Sequence, residues 1–512
     1  MKRYVYHVFG LMSLVLFLNC GTKTPSASLT SKNSKLTTKQ LGETITSDEL
    51  KEHLYIYASD EFEGRETGTE GQKKAVNYLK SNYEKLEISG ALADESYFQK
   101  VPLKYLKSSS AALSLNDETY IEFKDYVLIN GVASQNFVTS EIVDLGYGIE
   151  SNNYSDYEGL NVKDKVVLIK AGEPIDKNGN YTVNDSKELS VWGSPSGFNE
   201  KLNLAIKKGA KAVFLNDDKI LPRYAAYLKR KSQSEGSMVL ATSKITTPKF
   251  LINKTLYNQF KSYGNLKLEI KNQSIAVDSE NVAAFVKGST YPDEVIVVSA
   301  HLDHEGVKDG KVYNGADDDG SGTVAILEIA EAFKTAVKNN QRPKRSVLFL
   351  HVTGEEKGLL GSQYYTDFDP LFPIENTVAN LNIDMIGRTD PKRDGDRNYI
   401  YLIGSDRLST ELHDLSEYVN KSFTNITLDY TYNALTDPNR FYERSDHYNF
   451  AKYDIPVIFY FNGTHDDYHQ PSDTPDKIQY DLLQNRTRLV FYTAWEIANR
   501  DKRLVVDKPT LK

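Results

Sequence analysis

The sequence predicts an α/β protein with a mixed, largely parallel central sheet flanked by helices and a β-rich segment inserted into the chain. Three observations predict it. From about residue 278 onward, wholly apolar runs such as Val295-Ile296-Val297-Val298, Val347-Leu348-Phe349-Leu350 and Ile455-Pro456-Val457-Ile458-Phe459 recur. Helical patterns separate them, as at Thr323 to Phe333, and strands apolar on both faces need helices on both sides. Between residues 101 and 277 the texture is different: short β-like runs and loops, with Ile142-Val143-Asp144-Leu145 and Val166-Val167-Leu168-Ile169 as examples.

In chain order, Lys2 and Arg3 precede an apolar stretch from Val8 to Leu18, which ends at Asn19-Cys20-Gly21. A positive start followed by a short greasy run is the layout of an export signal, too short for a comfortable membrane span, and is expected over residues 1–20. The Ser/Thr/Lys-rich stretch that follows has too few large apolar groups to pack and reads as a tether, residues 21–45. Residues 46–100 open the main domain: Ser47-Asp48-Glu49 offers a helix start, and Ala75, Leu79, Tyr83 and Leu86 recur at helical spacing after the turn from Gly64 to Gly71. In the insert, residues 101–277, a helix from about Asn199 to Lys208 stops at Gly209 before the strand Ala212-Val213-Phe214-Leu215. Residues 278–512 form the main part of the domain and end in a long helix with Leu483, Val490, Ala494 and Ile497 on one face.

Composition narrows the chemistry. The 512 residues carry 62 Lys+Arg against 70 Asp+Glu, a net charge of −8, so no cationic excess exists to neutralise a phosphate backbone and no nucleic-acid partner is expected. The single cysteine excludes an internal disulfide framework and any cysteine-rich zinc module. A metal must be held by histidines and carboxylates.

Acids and histidines follow each apolar run. Ser299-Ala300-His301-Leu302-Asp303-His304 follows the first, and Asn314-Gly315-Ala316-Asp317-Asp318-Asp319 comes shortly before a helix. Thr353-Gly354-Glu355-Glu356 follows the Val347 run, Asp384 follows Val378 to Ile383, and Thr464 to Thr474, with Tyr468 and His469, follows the Ile455 run. Open α/β sheets bind ligands beyond the carboxyl ends of their strands, so these residues share one rim. Taken singly, each has a plainer explanation: Asp before a helix suits an N-cap, and adjacent glutamates usually face solvent. Brought together, the acids would repel one another without a cation between them. Imidazole and carboxylate donors suit zinc, and five candidate ligands exceed the needs of one tetrahedral ion but suit a pair sharing a carboxylate. Asp303, two residues past His301 in an extended segment, is expected to accept the other ring N–H of His301.

These motifs resemble the dinuclear-zinc exopeptidases that include bacterial leucyl-type aminopeptidases and glutamate carboxypeptidase II, some of which carry an inserted protease-associated domain like the 101–277 segment. The resemblance implies the zinc-exopeptidase fold, two zinc ions and a peptide substrate. It implies metal ligation by His301, Asp318 (bridging), Glu356, Asp384 and His469. Glu355 would be the general base, Asp303 the residue orienting His301, and Tyr468 a phenol steadying the oxyanion. Ser445-Asp446-His447 matches a further recurrent motif, given only a wall-forming role. Cys20 resembles the lipidated cysteine of bacterial lipoprotein signals, although Asn19 stands where a small residue is usual. It implies an exported, lipid-anchored protein of the bacterial cell envelope, otherwise periplasmic or secreted, touching a membrane only through Cys20. The leading expectation is an aminopeptidase. The alternatives are a carboxypeptidase or dipeptidase of the same family, a one-zinc glutaminyl-cyclase-like acyltransferase, and a non-enzymatic binding lipoprotein.

Overall fold

The computed structural model describes residues 35–106, 109–194, 197–232, 236–242, 247–262 and 264–508. The expected export signal, Cys20 and the first part of the tether lie outside the described residues. The tether does not extend to residue 45. Thr37 and Gln40 form a reciprocal capping box that starts the helix Thr38–Gly42. Leu41 and Ile45, four residues apart, are fully buried, and Arg488 donates to the Ile45 carbonyl. Two large apolar side chains on one face are enough to dock this stretch, despite its polar composition.

A nine-stranded sheet organises the chain. From one edge its order is Ser237–Leu240, Phe98–Leu106, Ser274–Val286, Arg345–Val352, Tyr291–His301, Thr377–Ile383, Val457–Phe461, Tyr399–Ile403, Thr427–Asp429. The four strands Arg345–Val352, Tyr291–His301, Thr377–Ile383 and Val457–Phe461 run parallel. The strands outside this core join it antiparallel, with a last parallel pair at the far edge. The sheet is therefore mixed, and its parallel part is the centre that the apolar runs predicted.

Alternation along the strands divides the core in two. Ile296, Val298 and Ala300 face the helices Ser47–Tyr57, Glu70–Lys85, Gly322–Lys338 and Tyr480–Asn499, packing with Ile326, Phe333, Val490 and Ile497. Val295 and Val297 face the other way, onto Tyr365, Phe450 and Ile455. The helices Ser47–Tyr57 and Glu70–Lys85 are separated by a break that begins ahead of the expected turn, at residues 60–65, where Glu63, Gly64 and Arg65 take left-handed backbone conformations.

Both ends of the 101–277 segment join the large sheet, through Phe98–Leu106, Ser237–Leu240 and Ser274–Val286. Between them lie a five-stranded sheet, with Ala212–Asn216 paired parallel to Val166–Lys170 and Lys249–Ile252, and a four-stranded antiparallel sheet. Phe214 stacks on Phe250 with centroids 4.5 Å apart in a core of its own.

The last helix also ties down the turn after Thr377–Ile383. Arg486, 1% exposed, donates to the carbonyls of Tyr399 (2.9 Å), Ile386 (2.7 Å) and Arg388 (2.6 Å). Burial lowers its pKa to about 10, so it remains a cation at neutral pH. Arg486→Met strands three buried carbonyls and should cost on the order of 3 kcal/mol, read as a shift in the denaturant midpoint. A midpoint unchanged from the parent would show that these bonds do not hold the turn.

Candidate metal centre

Parallel pairing sets the positions of the candidate residues. His301 is paired with Val352, Ser299 with Asn382, and Ile383 with Tyr460, so the strands end in one row. His301 closes its strand, Glu355 and Glu356 sit just beyond Val352, and Asp384 follows Ile383 directly. His469 comes from the loop after Val457–Phe461, in a left-handed conformation. Asp318 arrives from the turn Ala316–Ser321 that leads into the helix Gly322–Lys338.

The structure brings all five predicted ligands together. His301 Nε2 lies 3.1 Å from Asp318 Oδ1 and 3.6 Å from Asp384 Oδ1. His469 Nε2 lies 3.0 Å from Asp318 Oδ2 and 3.3 Å from Glu356 Oε2. Asp318 thus presents one oxygen to each side. Sequence reasoning missed two neighbours: His304, whose Nδ1 lies 2.9 Å from Glu356 Oε1, and Glu305, whose Oε1 lies 3.7 Å from His469 Nδ1. Their signal was adjacency to His301-Leu302-Asp303, which spacing alone does not separate from ordinary loop polarity.

The donor set passes a test of fit for zinc. Four ligands at 2.0–2.1 Å around a tetrahedral ion stand roughly 3.3 Å apart, and the neighbouring imidazole–carboxylate pairs here lie 2.9–3.8 Å apart. His301 Nε2, both ring nitrogens of His304, Asp318 Oδ2 and Glu356 Oε1 are buried with no hydrogen-bond partner among the described residues. Buried polar atoms left in that state are costly, and a cation they all face removes the cost.

One expectation needs correcting. The Asp303 carboxylate does not accept from His301. The ring Nδ1 faces the Asp303 main-chain carbonyl at 3.0 Å, just past the end of the strand at His301. The carboxylate instead accepts from the Thr67 hydroxyl (2.7 Å) and the Glu355 amide (3.2 Å), so it fixes the backbone of Glu355.

Two further buried residues hold the loops. Arg65 donates to the carbonyls of Tyr57, Leu302, Asn314 and Gly315, clamping the His301 loop to the Asp318 loop. Asp473 Oδ2 accepts from the amides of Asp317 (3.0 Å) and Asp318 (3.2 Å). His465 and the Gly387 amide engage the Asp317 carboxylate. Neither Arg65 nor Asp473 stood out in sequence, since each acts through backbone groups far along the chain.

Charge at the centre is finely opposed. Burial works to raise Asp318, yet contacts with His301 and His469 hold it well below the usual carboxylate range. Burial likewise opposes the low value of Glu356, which its neighbours His304 and His469 bring down to about 2. Glu355 moves the other way: burial, reinforced by the nearby Glu356 and Asp384 charges, pushes it well above its ordinary value. Glu355 lines one cleft with Asp318, Asp384 and Tyr468, whose phenol is also pushed up by burial. Met385, Phe441, Arg444, Phe459, Phe461 and Thr464 form the rest of its wall. The motif at residues 445–447 stands behind that wall, with His447 stacked on Phe459 at 4.8 Å and Ser445 accepting from Asn382.

Residues 281–494 match Peptidase family M28. The chain is 26% identical over 319 residues to "Aminopeptidase YwaD" of Bacillus subtilis, covering 61% of this chain and 63% of that protein. It is 32% identical over 127 residues to "Aminopeptidase NAALADL1" of Mus musculus, covering 25% and 16%. The chain therefore spans less than two thirds of the length of these relatives. Among solved structures, BSAP, described as a zinc aminopeptidase from Bacillus subtilis, is 19% identical with a TM-score of 0.47, covering 91% of this chain and 99% of that one.

Without metal, the carboxylates around His301 and His469 overcome burial and raise both imidazoles, His301 well above its ordinary value and His469 to about 10. Ligation requires the neutral ring, so zinc uptake at pH 8 should release protons and apparent affinity should climb as pH rises toward 10. Titration in weak buffer measures the release; an affinity indifferent to pH over this window would contradict the assignment.

Proposed function

Because residues 281–494 match Peptidase family M28, we propose that the chain is a zinc-dependent exopeptidase of that family, acting as an aminopeptidase that releases N-terminal residues from peptides. The observation that carries this reading is the gathering of His301, Asp318, Glu356, Asp384 and His469 at one strand-end rim, with buried donor atoms left without hydrogen bonds. We assign two ions to the site, one beside His301 and Asp384, the other beside Glu356 and His469, with Asp318 between them. Zinc held there would lower the pKa of water and polarise a carbonyl oxygen.

The chain's own residues supply the rest. Glu355, its affinity for a proton raised by burial, accepts the proton of the attacking water and hands it to the leaving amine. Its backbone is set by the Asp303 carboxylate, which makes Asp303 a positioning residue. Tyr468 keeps its phenolic proton and is placed in the same cleft to donate to the developing oxyanion. The aromatic wall of Phe441, Phe459 and Phe461 excludes water from the reacting carbonyl and receives the substrate side chain.

Arg444 favours a second reading. Its guanidinium lines the cleft over the Phe441 ring, with no carboxylate partner among the described residues. It could hold a substrate carboxylate, as a carboxypeptidase or dipeptidase of the same family would require.

We further assign residues 101–277 to a protease-associated insert, and the Cys20 signal to a lipid anchor that holds the exported protein in the bacterial cell envelope. Cell fractionation tests the anchor: Cys20→Ala should move the protein out of the membrane fraction, and an unchanged distribution would reject it.

A panel of free-amino, blocked-amino and free-carboxyl peptides, run with chelator and with zinc restored, tests the activity. Chelator-sensitive cleavage confined to free-amino peptides is expected; cleavage of blocked peptides alone would reject an aminopeptidase. Glu355→Gln should lower kcat by about 10²–10⁴ while zinc content stays at the parent level. His301→Ala should lower zinc content itself. Near-normal turnover in Glu355→Gln would remove Glu355 from its role.

A further inference from the structure

Resting on the zinc reading above, we propose that His304 is itself a metal ligand, joining Asp318, Glu356 and His469 on one side of the centre. The two metal positions are then unequal: three protein donors on the His301 side, four on the His304 side.

His304 is fully buried, and neither of its ring nitrogens has a hydrogen-bond partner among the described residues. An imidazole sealed from water in that condition is unfavourable unless something else uses its lone pair. Its Nδ1 stands 2.9 Å from Glu356 Oε1 and 3.8 Å from Asp318 Oδ2, close to the edge of a tetrahedral zinc site. His304, Asp318 and Glu356 present donor atoms that lie within 4.8 Å of one another. The rings of His304 and His469 meet edge to face, with centroids 5.7 Å apart.

The fold also keeps a seat for the ring. Gly315 has φ +51°, and a Cβ there would lie 2.4 Å from His304 Cγ. Any larger residue would push the imidazole out of the centre. Glu305, the next residue along, approaches the other ring nitrogen of His469 and helps aim it.

The count of donors has a chemical consequence. A position with three protein ligands keeps a place for water or substrate, whereas four protein ligands close a tetrahedral site. The ion beside His301 and Asp384 is the exchangeable one that meets substrate. The ion beside His304 is retained and holds Asp318 and Glu356 in place.

Zinc release from the loaded enzyme to a chelator should accordingly be biphasic, with one equivalent leaving about tenfold or more slowly than the other. His304→Ala should abolish the slow phase, while His301→Ala should abolish the fast one and spare the slow. Cobalt-loaded His304→Cys provides a direct test, because a Cys sulfur takes the place of the ring Cγ and bonds a metal at about 2.3 Å, longer than a ring nitrogen does: ligation gives a sulfur-to-cobalt charge-transfer band in the near ultraviolet. X-ray absorption on the unmodified zinc enzyme provides another that needs no variant, and should count three imidazoles shared by the bound zinc rather than two. Two imidazoles, or a cobalt-loaded His304→Cys with both ions and no such band, would overturn the proposal while leaving the zinc reading intact. Failure of the parent protein to take up zinc would overturn both.

Discussion

The cost of burying like charge in one small volume governs this structure. Asp303, Asp318, Asp319 and Asp384 are all buried, and Glu355 and Glu356 lie beside them. Carboxylates so close and so dry cannot all stay ionised without compensation. The chain compensates partly with its own groups. Backbone amides of Gly322 and Met385 donate to Asp319, Thr67 and the Glu355 amide to Asp303, and Arg65 supplies a buried cation nearby. His301, His304 and His469 face the remaining oxygens, several of them without hydrogen bonds. A divalent cation is the compensation this arrangement is shaped to receive.

The architecture follows from the same demand. A parallel sheet ends all its central strands on one side, so loops from distant parts of the chain converge without any strand being bent to reach. The loops bearing His301, Asp318, Glu355 and Asp384 are then anchored by groups that leave the ligands free. Asp473 grips the amides at Asp317 and Asp318, Arg486 grips the carbonyls after Asp384, and Arg65 joins the His301 and Asp318 loops. The helices behind the sheet bury its apolar face, and the last of them carries Arg486. Stability and site geometry are therefore supplied by the same side chains.

The acidic centre also shows how one environment yields opposite shifts in proton affinity. Glu355 and Glu356 are adjacent in sequence, yet burial raises the first and paired imidazoles lower the second. Their neighbours separate a group that takes up a proton from a group that stays an anion.

Much of this was legible in the chain itself. Apolar runs buried on both faces indicated the parallel centre, and the acids and histidines placed after each run indicated the rim, because strand periodicity and strand ends are local properties. What the sequence could not specify were contacts made through backbone atoms or across long separations. Asp303 reaches His301 through its carbonyl rather than its carboxylate because of where the strand stops. The stretch around Leu41 looked like tether until its two apolar side chains found a partner in the last helix. Arg65 and Asp473 became meaningful only once loops 249 and 156 residues apart lay side by side. His304 is the sharpest case. Its neighbours in sequence say little about it, and only folding, with the space left at Gly315, turns its ring toward Glu356. Local residue patterns determined which groups reach the rim; the packed backbone decided which of them face one another.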